Sequence, residues 1–361
     1  MDKKTPIFEK VLNEIIKENN ITKIKKISSG GFGIVYEVEY KGKSYAAKLF
    51  EKQSEIDDEA YNIVEFRGPH IVKVNKVFNK SYADKKYNLI LMEKAPLKSL
   101  KSYPNYIKKN INIIFESSFE IIGDNLLRFC VYQLIQALKV LYISNFCHFD
   151  IKPENILIFY DNVLKLTDFG LLKNPENIKV DNDSINLPGG TYGYLSPEAI
   201  FNKSKININQ AIKQDFFALG ATIYYLKYDK MMLENTKIID SLLTANNIIE
   251  LLERKIDEIK STKLANKDFI NLLCSLINYN PEERPEFESL YRNKWLNGNR
   301  DEITNLISIY QTDLNKLLIE LNKSDFIIKK REYLKEQKIK KNKNNNNNYI
   351  NRKNKFVFKT K

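Results

Sequence analysis

Residues 147–157 read Cys-His-Phe-Asp-Ile-Lys-Pro-Glu-Asn-Ile-Leu, and no other stretch of the chain holds so much reactive chemistry in so few positions. Asp150, Lys152 and Asn155 lie between apolar runs, with Pro153 as a turn former. A carboxylate at Asp150 can accept a proton from an attacking hydroxyl, and a lysine at 152 can neutralise charge on a transferring phosphoryl group. The Asn155 amide offers an oxygen to a hard cation.

Working outward, Asn125 to Ser144 carries apolar residues at helical spacing (Leu126, Phe129, Val131, Leu134, Leu138, Leu141), which predicts a largely buried helix feeding this loop. On the other side, Ile156 to Phe159 and Val163 to Leu166 predict a short hairpin that ends in Thr167-Asp168-Phe169-Gly170. Nearer the start, Phe8 to Lys17 has helical spacing. Strand-like alternation from Ile24 then runs into Ser28-Ser29-Gly30-Gly31-Phe32-Gly33-Ile34-Val35-Tyr36. Glycines in such a hairpin let backbone amides approach phosphate oxygens closely. A second hairpin turns at Lys41-Gly42 and leads to Tyr45-Ala46-Ala47-Lys48, and strands at 71–78 and 87–92 end in Met92-Glu93-Lys94-Ala95-Pro96.

In this order the segments resemble eukaryotic protein kinases of the serine/threonine type. The loop at 148–155 has the His-x-Asp-x-Lys-x-x-Asn form, and Asp168-Phe169-Gly170 follows at the family distance. The resemblance implies an α+β bilobal fold, with a small, mostly β N-lobe carrying one helix and a larger, mainly α C-lobe. It implies ATP and Mg2+ (or Mn2+) as cofactors and protein Ser/Thr hydroxyls as acceptors. Asp150, Lys152 and Lys48 become the catalytic set, and Asn155 and Asp168 the metal ligands. Gly30, Gly31, Phe32, Gly33, Val35, Ala46, Met92, Leu157 and the backbone of Glu93 and Ala95 would form the nucleotide pocket. Glu59 is the expected partner of Lys48, with Glu55 as a competitor. His148, Phe169, Gly170 and Thr191 fall among the structural or regulatory positions. So do Glu198 in the run Ser196-Pro197-Glu198, its expected partner Arg284, and Asp215, read as opening a central helix whose Asp braces the catalytic loop.

Two departures bear on regulation. Ser28 stands where the first loop glycine is usual, and Phe149 where most members carry an arginine that pairs with a phosphorylated activation segment. The expectation is an enzyme that does not depend on activation-segment phosphorylation. The alternative is a catalytically weak or inert kinase-fold scaffold that acts by binding. Lys152 and Gly190-Thr191 disfavour tyrosine as acceptor.

The resemblance implies an N-lobe (24–94) and a C-lobe (95–298), preceded by an N-terminal extension (1–23); after them, apolar periodicity marks an amphipathic helical extension (299–337) and composition a Lys/Asn-rich tail (338–361) expected to be disordered. Net charge is +13, yet residues 329–361 hold thirteen Lys and Arg against two Glu, so the basic character belongs to the C-terminal end. That end suggests a tether to nucleic acid or acidic lipid, or a pseudosubstrate arm. No motif is legible in 111–123. Three widely spaced cysteines and two histidines point away from disulfides and zinc, and no run approaches the roughly 18 apolar residues of a membrane span. The expected setting is intracellular, cytoplasmic or nuclear.

Overall fold

The computed structural model describes residues 5–31, 33–52, 68–96, 99–102, 119–159, 163–174, 180–181, 184–185, 189–201, 208–233, 245–261 and 266–297. The chain divides into two compact units, Met1–Asn305 and Leu306–Lys361, and the described residues all belong to the first. Phe32, Glu55, Glu59, the stretch 103–118, and the expected extension and tail lie outside the described residues.

Five antiparallel strands form the N-terminal sheet: β1 (Ile21–Gly30), β2 (Gly33–Tyr40), β3 (Lys43–Glu51), β4 (Val74–Tyr82) and β5 (Lys85–Glu93), in the order β1-β2-β3-β5-β4. Lys41 and Gly42 both take positive φ (51° and 72°), the two-residue turn whose twist matches its flanking strands. Alternation then sorts the strand faces. On β2, Ile34, Tyr36 and Val38 enter the core, while Val35 and Glu37 face the opposite way.

The apolar face of the sheet is covered by α1 (Thr5–Asn19). Phe8, Val11, Leu12 and Ile15 recur at i, i+3, i+4 and i+7 and are buried in one cluster with Tyr36, Val38, Tyr87 and Leu89. Ion pairs fasten its rim, Glu9 with Lys23 at 2.6 Å and Lys80 with Glu14 and Glu18 at 2.8 and 2.5 Å. The sequence placed this helix at 8–17 within an extension.

The second lobe is mainly helical. Helix α2 (Phe119–Ile143) starts earlier than the expected Asn125 and takes in the end of the unread insertion. Its buried stripe of Val131, Leu134, Ile135, Leu138 and Leu141 delivers the chain to the loop at 147–157. That loop runs into β6 (Ile156–Ile158), and β7 (Leu164–Leu166) follows, then the two-residue pair β8 (Val180–Asp181) and β9 (Ser184–Ile185). The lobe is completed by α3 (Pro197–Phe201), α4 (Ile208–Tyr228), α5 (Ala245–Ser261), α6 (Lys267–Leu276), α7 (Phe287–Tyr291) and α8 (Lys294–Asn297).

One placement needs correcting: α4 begins at Ile208, so Asp215 lies two turns inside the helix and does not open it. Asn266 caps α6 by accepting the Asp268 and Phe269 N–H groups at 2.8 and 3.3 Å. Trp295 of α8 packs on Phe269, ring centroids 5.0 Å apart. Backbone bonds from Val72 N to Leu166 O and from Leu166 N to His70 O, each 2.9 Å, join the β4 approach to β7 and so tie sheet to helical lobe. Among the described residues no helix is long and apolar enough to cross a membrane.

Candidate active site

The loop at 147–157 is shaped from below by α4. Both Asp215 carboxylate oxygens accept backbone N–H groups, from His148 at 2.7 Å and Phe149 at 2.8 Å. Burial pushes the Asp215 carboxyl up to about 7 against the pull of these two donors. Phe149 adopts φ 64°, a left-handed geometry that costs a bulky residue about 1–3 kcal/mol unless its surroundings hold it. They do: its ring is buried with Cys147, Leu171, Ala211 and the flank of Ile212. Cys147 and Lys173 exchange backbone bonds of 2.9 and 3.1 Å, which fixes the start of the following segment against the loop.

On this base the reactive groups converge. Asp150, 4% exposed, meets Lys152 Nζ at 2.7 Å, Asn155 Nδ2 at 2.9 Å and the Thr191 hydroxyl at 2.7 Å. Lys152 Nζ also donates to Thr191 Oγ1 at 2.6 Å. Asn155 spends its amide nitrogen on Asp150, at the carboxylate and at the backbone oxygen (2.8 Å), which leaves its oxygen as the group for a cation. Thr167 N–H bonds Asn155 O at 2.9 Å, bringing the residue before Asp168 against Asn155.

Asp168 takes φ 61° and lies 2.8 Å from Lys48 Nζ on β3. Burial pushes its carboxyl up, but the adjacent Lys48 charge and hydrogen bond outweigh that and hold it below the ordinary carboxylate range. It stands as an anion. His148 is buried between these groups: it accepts Asp150 N–H at Nδ1 (3.2 Å), contacts Thr167 O through Nε2 (3.1 Å) and lies 5.2 Å from the Phe169 ring. Burial pushes it down to about 4, so it is a neutral strut.

Above the loop, the glycines differ in their reasons. Gly33, at φ 135°, has its missing Cβ aimed at the Leu49 carbonyl, so the fold itself demands glycine there. A Cβ at Gly30 or Gly31 would meet nothing within 4 Å. Their openness suits a bound group whose oxygens come close to the backbone. Ser28 pairs with Val35 across the turn, and Ala46 pairs with Met92. Val35, Ala46 and Leu157 are half-buried apolar residues, each next to at least one buried neighbour, as the wall of a pocket requires. Gly170 lies in the turn after Phe169, and Ala95 follows β5.

Glu198 and Arg284 form a buried two-point pair at 2.5 and 2.8 Å, and Arg284 further donates to Asn278 O and Lys213 O at 2.8 and 3.0 Å. Three ties were not legible in the sequence: Glu93 with Lys165, Lys94 with Glu37, and Lys213 with Glu286. Each joins elements far apart in the chain, and no spacing rule signals such pairs.

The donor set fits a nucleoside triphosphate with a hard divalent cation. Asn155 and Asp168 would offer oxygen ligands to such a cation, and Lys48 and Lys152 would offer compensating charge to the phosphates. Among the described residues no three His, Cys, Asp or Glu gather into a metal site.

A two-lobed molecule with this loop, this anion at 168 and this lysine is a phosphotransferase of the protein kinase class. The family model "protein kinase domain" matches residues 21–296, and the chain belongs to that family. It is similar to the Aurora kinase of Saccharomyces cerevisiae, 28% identical over 281 residues that cover 76% of this chain and 69% of that protein. It is also similar to the mouse cGMP-dependent protein kinase 2, 28% identical over 295 residues, covering 77% of this chain but 34% of the relative. A probable serine/threonine-protein kinase of Dictyostelium discoideum is 29% identical over 279 residues, 64% of this chain and 53% of its own length. The chain is accordingly a protein serine/threonine kinase.

Proposed function

We propose that this kinase transfers the γ-phosphoryl group of ATP, with Mg2+, to Ser and Thr hydroxyls of protein substrates, using Asp150, Lys152, Lys48, Asn155 and Asp168. The observation that carries the reading is the single hydrogen-bonded group of Asp150, Lys152, Asn155 and Thr191, built beside the Lys48–Asp168 pair. The nucleotide and its cation supply the phosphoryl group and the charge neutralisation. Asp150 already accepts one hydroxyl, that of Thr191, and the same carboxylate would orient an acceptor hydroxyl and take its proton. Lys152 faces charge developing on the transferred group, Lys48 holds phosphate oxygens, and Asn155 and Asp168 hold the cation.

The burial of Phe149 in an apolar cluster supports independence from activation-segment phosphorylation, because position 149 has no charge with which to receive a phosphate. Three widely spaced cysteines, two of them buried, support a reducing setting, cytoplasmic or nuclear. The charge at 329–361 supports an anionic partner, tested by salt-sensitive binding of the full chain to RNA or acidic vesicles.

The experiment is transfer of labelled γ-phosphate to a generic basic protein, wild type against Asp150→Asn, with analysis for phosphoserine and phosphothreonine. Transfer lost in the variant supports the assignment; equal transfer in both refutes it. A large rise in rate on phosphorylating Ser184 would remove the independence claim.

A further inference from the structure

Glu93 and Lys94 are consecutive residues where the chain leaves β5, and each is tied by charge to a different lobe. Glu93 Oε1 takes the Lys73 N–H at 2.7 Å and lies 2.7 Å from Lys165 Nζ on β7. The Glu93 N–H in turn bonds Lys73 O at 3.0 Å, so residue 73 grips Glu93 by backbone and side chain together. Lys94 Nζ reaches the other way, 2.5 Å from Glu37 Oε1 on β2. Ser44 Oγ at 3.3 Å and Lys25 Nζ at 3.6 Å complete the surroundings of Glu37.

These are not loose surface pairs. The side chains of Glu37, Lys165 and Glu93 are 10%, 18% and 25% exposed, and only Lys94 is more open, at 35%. Packed apolar residues would stabilise such positions as well as an ion pair does, so stability alone gives no reason for charges here. Position does. Glu37 pairs with Ala46 and Ala46 with Met92, while Lys165 pairs with Leu157. Each tie therefore starts beside a residue of the proposed adenine wall and ends on the connector between the lobes.

We infer that Lys165 and Glu37, through Glu93 and Lys94, are positioning residues for the nucleotide: they clamp the connector to both lobes and fix the backbone that receives the base. The inference rests on the ATP-binding reading above. It assigns these residues to binding and leaves the transfer step to the loop at 148–155.

The test uses the full chain with Lys165→Met, Glu37→Gln and the conservative Lys165→Arg. ADP affinity is read by calorimetry, beside kcat, KM for ATP and Tm. Expected is a rise of about three- to tenfold in Kd and KM for Lys165→Met and Glu37→Gln, with kcat within about twofold and Lys165→Arg close to wild type. Unchanged Kd in both neutral variants overturns the inference. So does a raised kcat at constant KM, which would mean that the clamp restrains the lobes, and so does a Kd change that merely follows a fall in Tm. Wild type that binds ADP yet transfers nothing would sink the catalytic reading while the Kd comparison still decides the clamp. Wild type that binds no nucleotide overturns both.

Discussion

Lys48 Nζ lies 2.8 Å from Asp168 Oδ1, although 120 positions separate the two residues in the chain. One belongs to a strand of the N-terminal sheet and the other to the turn after β7, so the contact exists only when both lobes are built. Removing either charge breaks this pair where phosphate oxygens and a cation would be held. Lys48→Met and Asp168→Asn are each expected to lower γ-phosphate transfer by about 10²-fold or more, with the thermal transition of the protein still cooperative. Steady-state kinetics beside calorimetric melting checks this.

The Glu198–Arg284 pair is a stability element. Arg284 is almost wholly buried, and its guanidinium has carboxylate and carbonyl partners on several sides. Breaking a buried pair from one side strands the other charge, so Glu198→Gln should destabilise the C-terminal lobe by about 3–5 kcal/mol. Urea titration followed by circular dichroism measures it; a loss below about 1 kcal/mol would contradict the buried-pair account.

Both histidines of the chain are buried, and burial pushes each down to about 4. The unfolded chain binds protons at these sites near pH 6.5, above where the folded protein does, so stability rises with pH between about 4 and 6.5. Their contribution is fully present above pH 6.5 and is lost as the pH falls toward 4. Asp215, raised to about 7, acts with the opposite sign over much of the same window. Comparing wild type with His70→Asn isolates one histidine: the slope of unfolding free energy against pH should flatten by up to about 1.4 kcal/mol per pH unit.

The glycine loop separates fold from binding. Gly33→Ala sets a Cβ against the Leu49 carbonyl at a positive φ and should destabilise the sheet by about 1–3 kcal/mol. Gly30→Ala meets nothing in the protein, so stability should stay within about 0.5 kcal/mol while nucleotide affinity falls. Melting temperature and ADP titration on the two variants give the contrast.

Helix α1 lies outside the family-matched residues 21–296 yet supplies part of the sheet's core. Leu12 is fully buried, and Leu12→Ala should cost about 2–5 kcal/mol, read by denaturant unfolding.

The sequence by itself determined the kinase class and the local order of the site. The chemistry at 148–155 is contiguous, Asp168-Phe169-Gly170 follows at short range, and the apolar period of α2 is written in its own residues. Periodicity shows that a helix has an apolar face, but not what that face meets. Hence α1 read as an extension, whereas the structure seats it on the sheet. Asp215 was legible as a brace for the loop, but its depth within α4 was not, because the helix start at Ile208 lies in a polar run. The sequence showed that Phe149 replaces an arginine, and only the tertiary structure showed the apolar cluster that holds it at positive φ. The partners of Glu93, Lys94 and Glu37 were likewise decided in space. A single carboxylate or ammonium in a sequence carries no record of which distant charge will satisfy it once water is excluded.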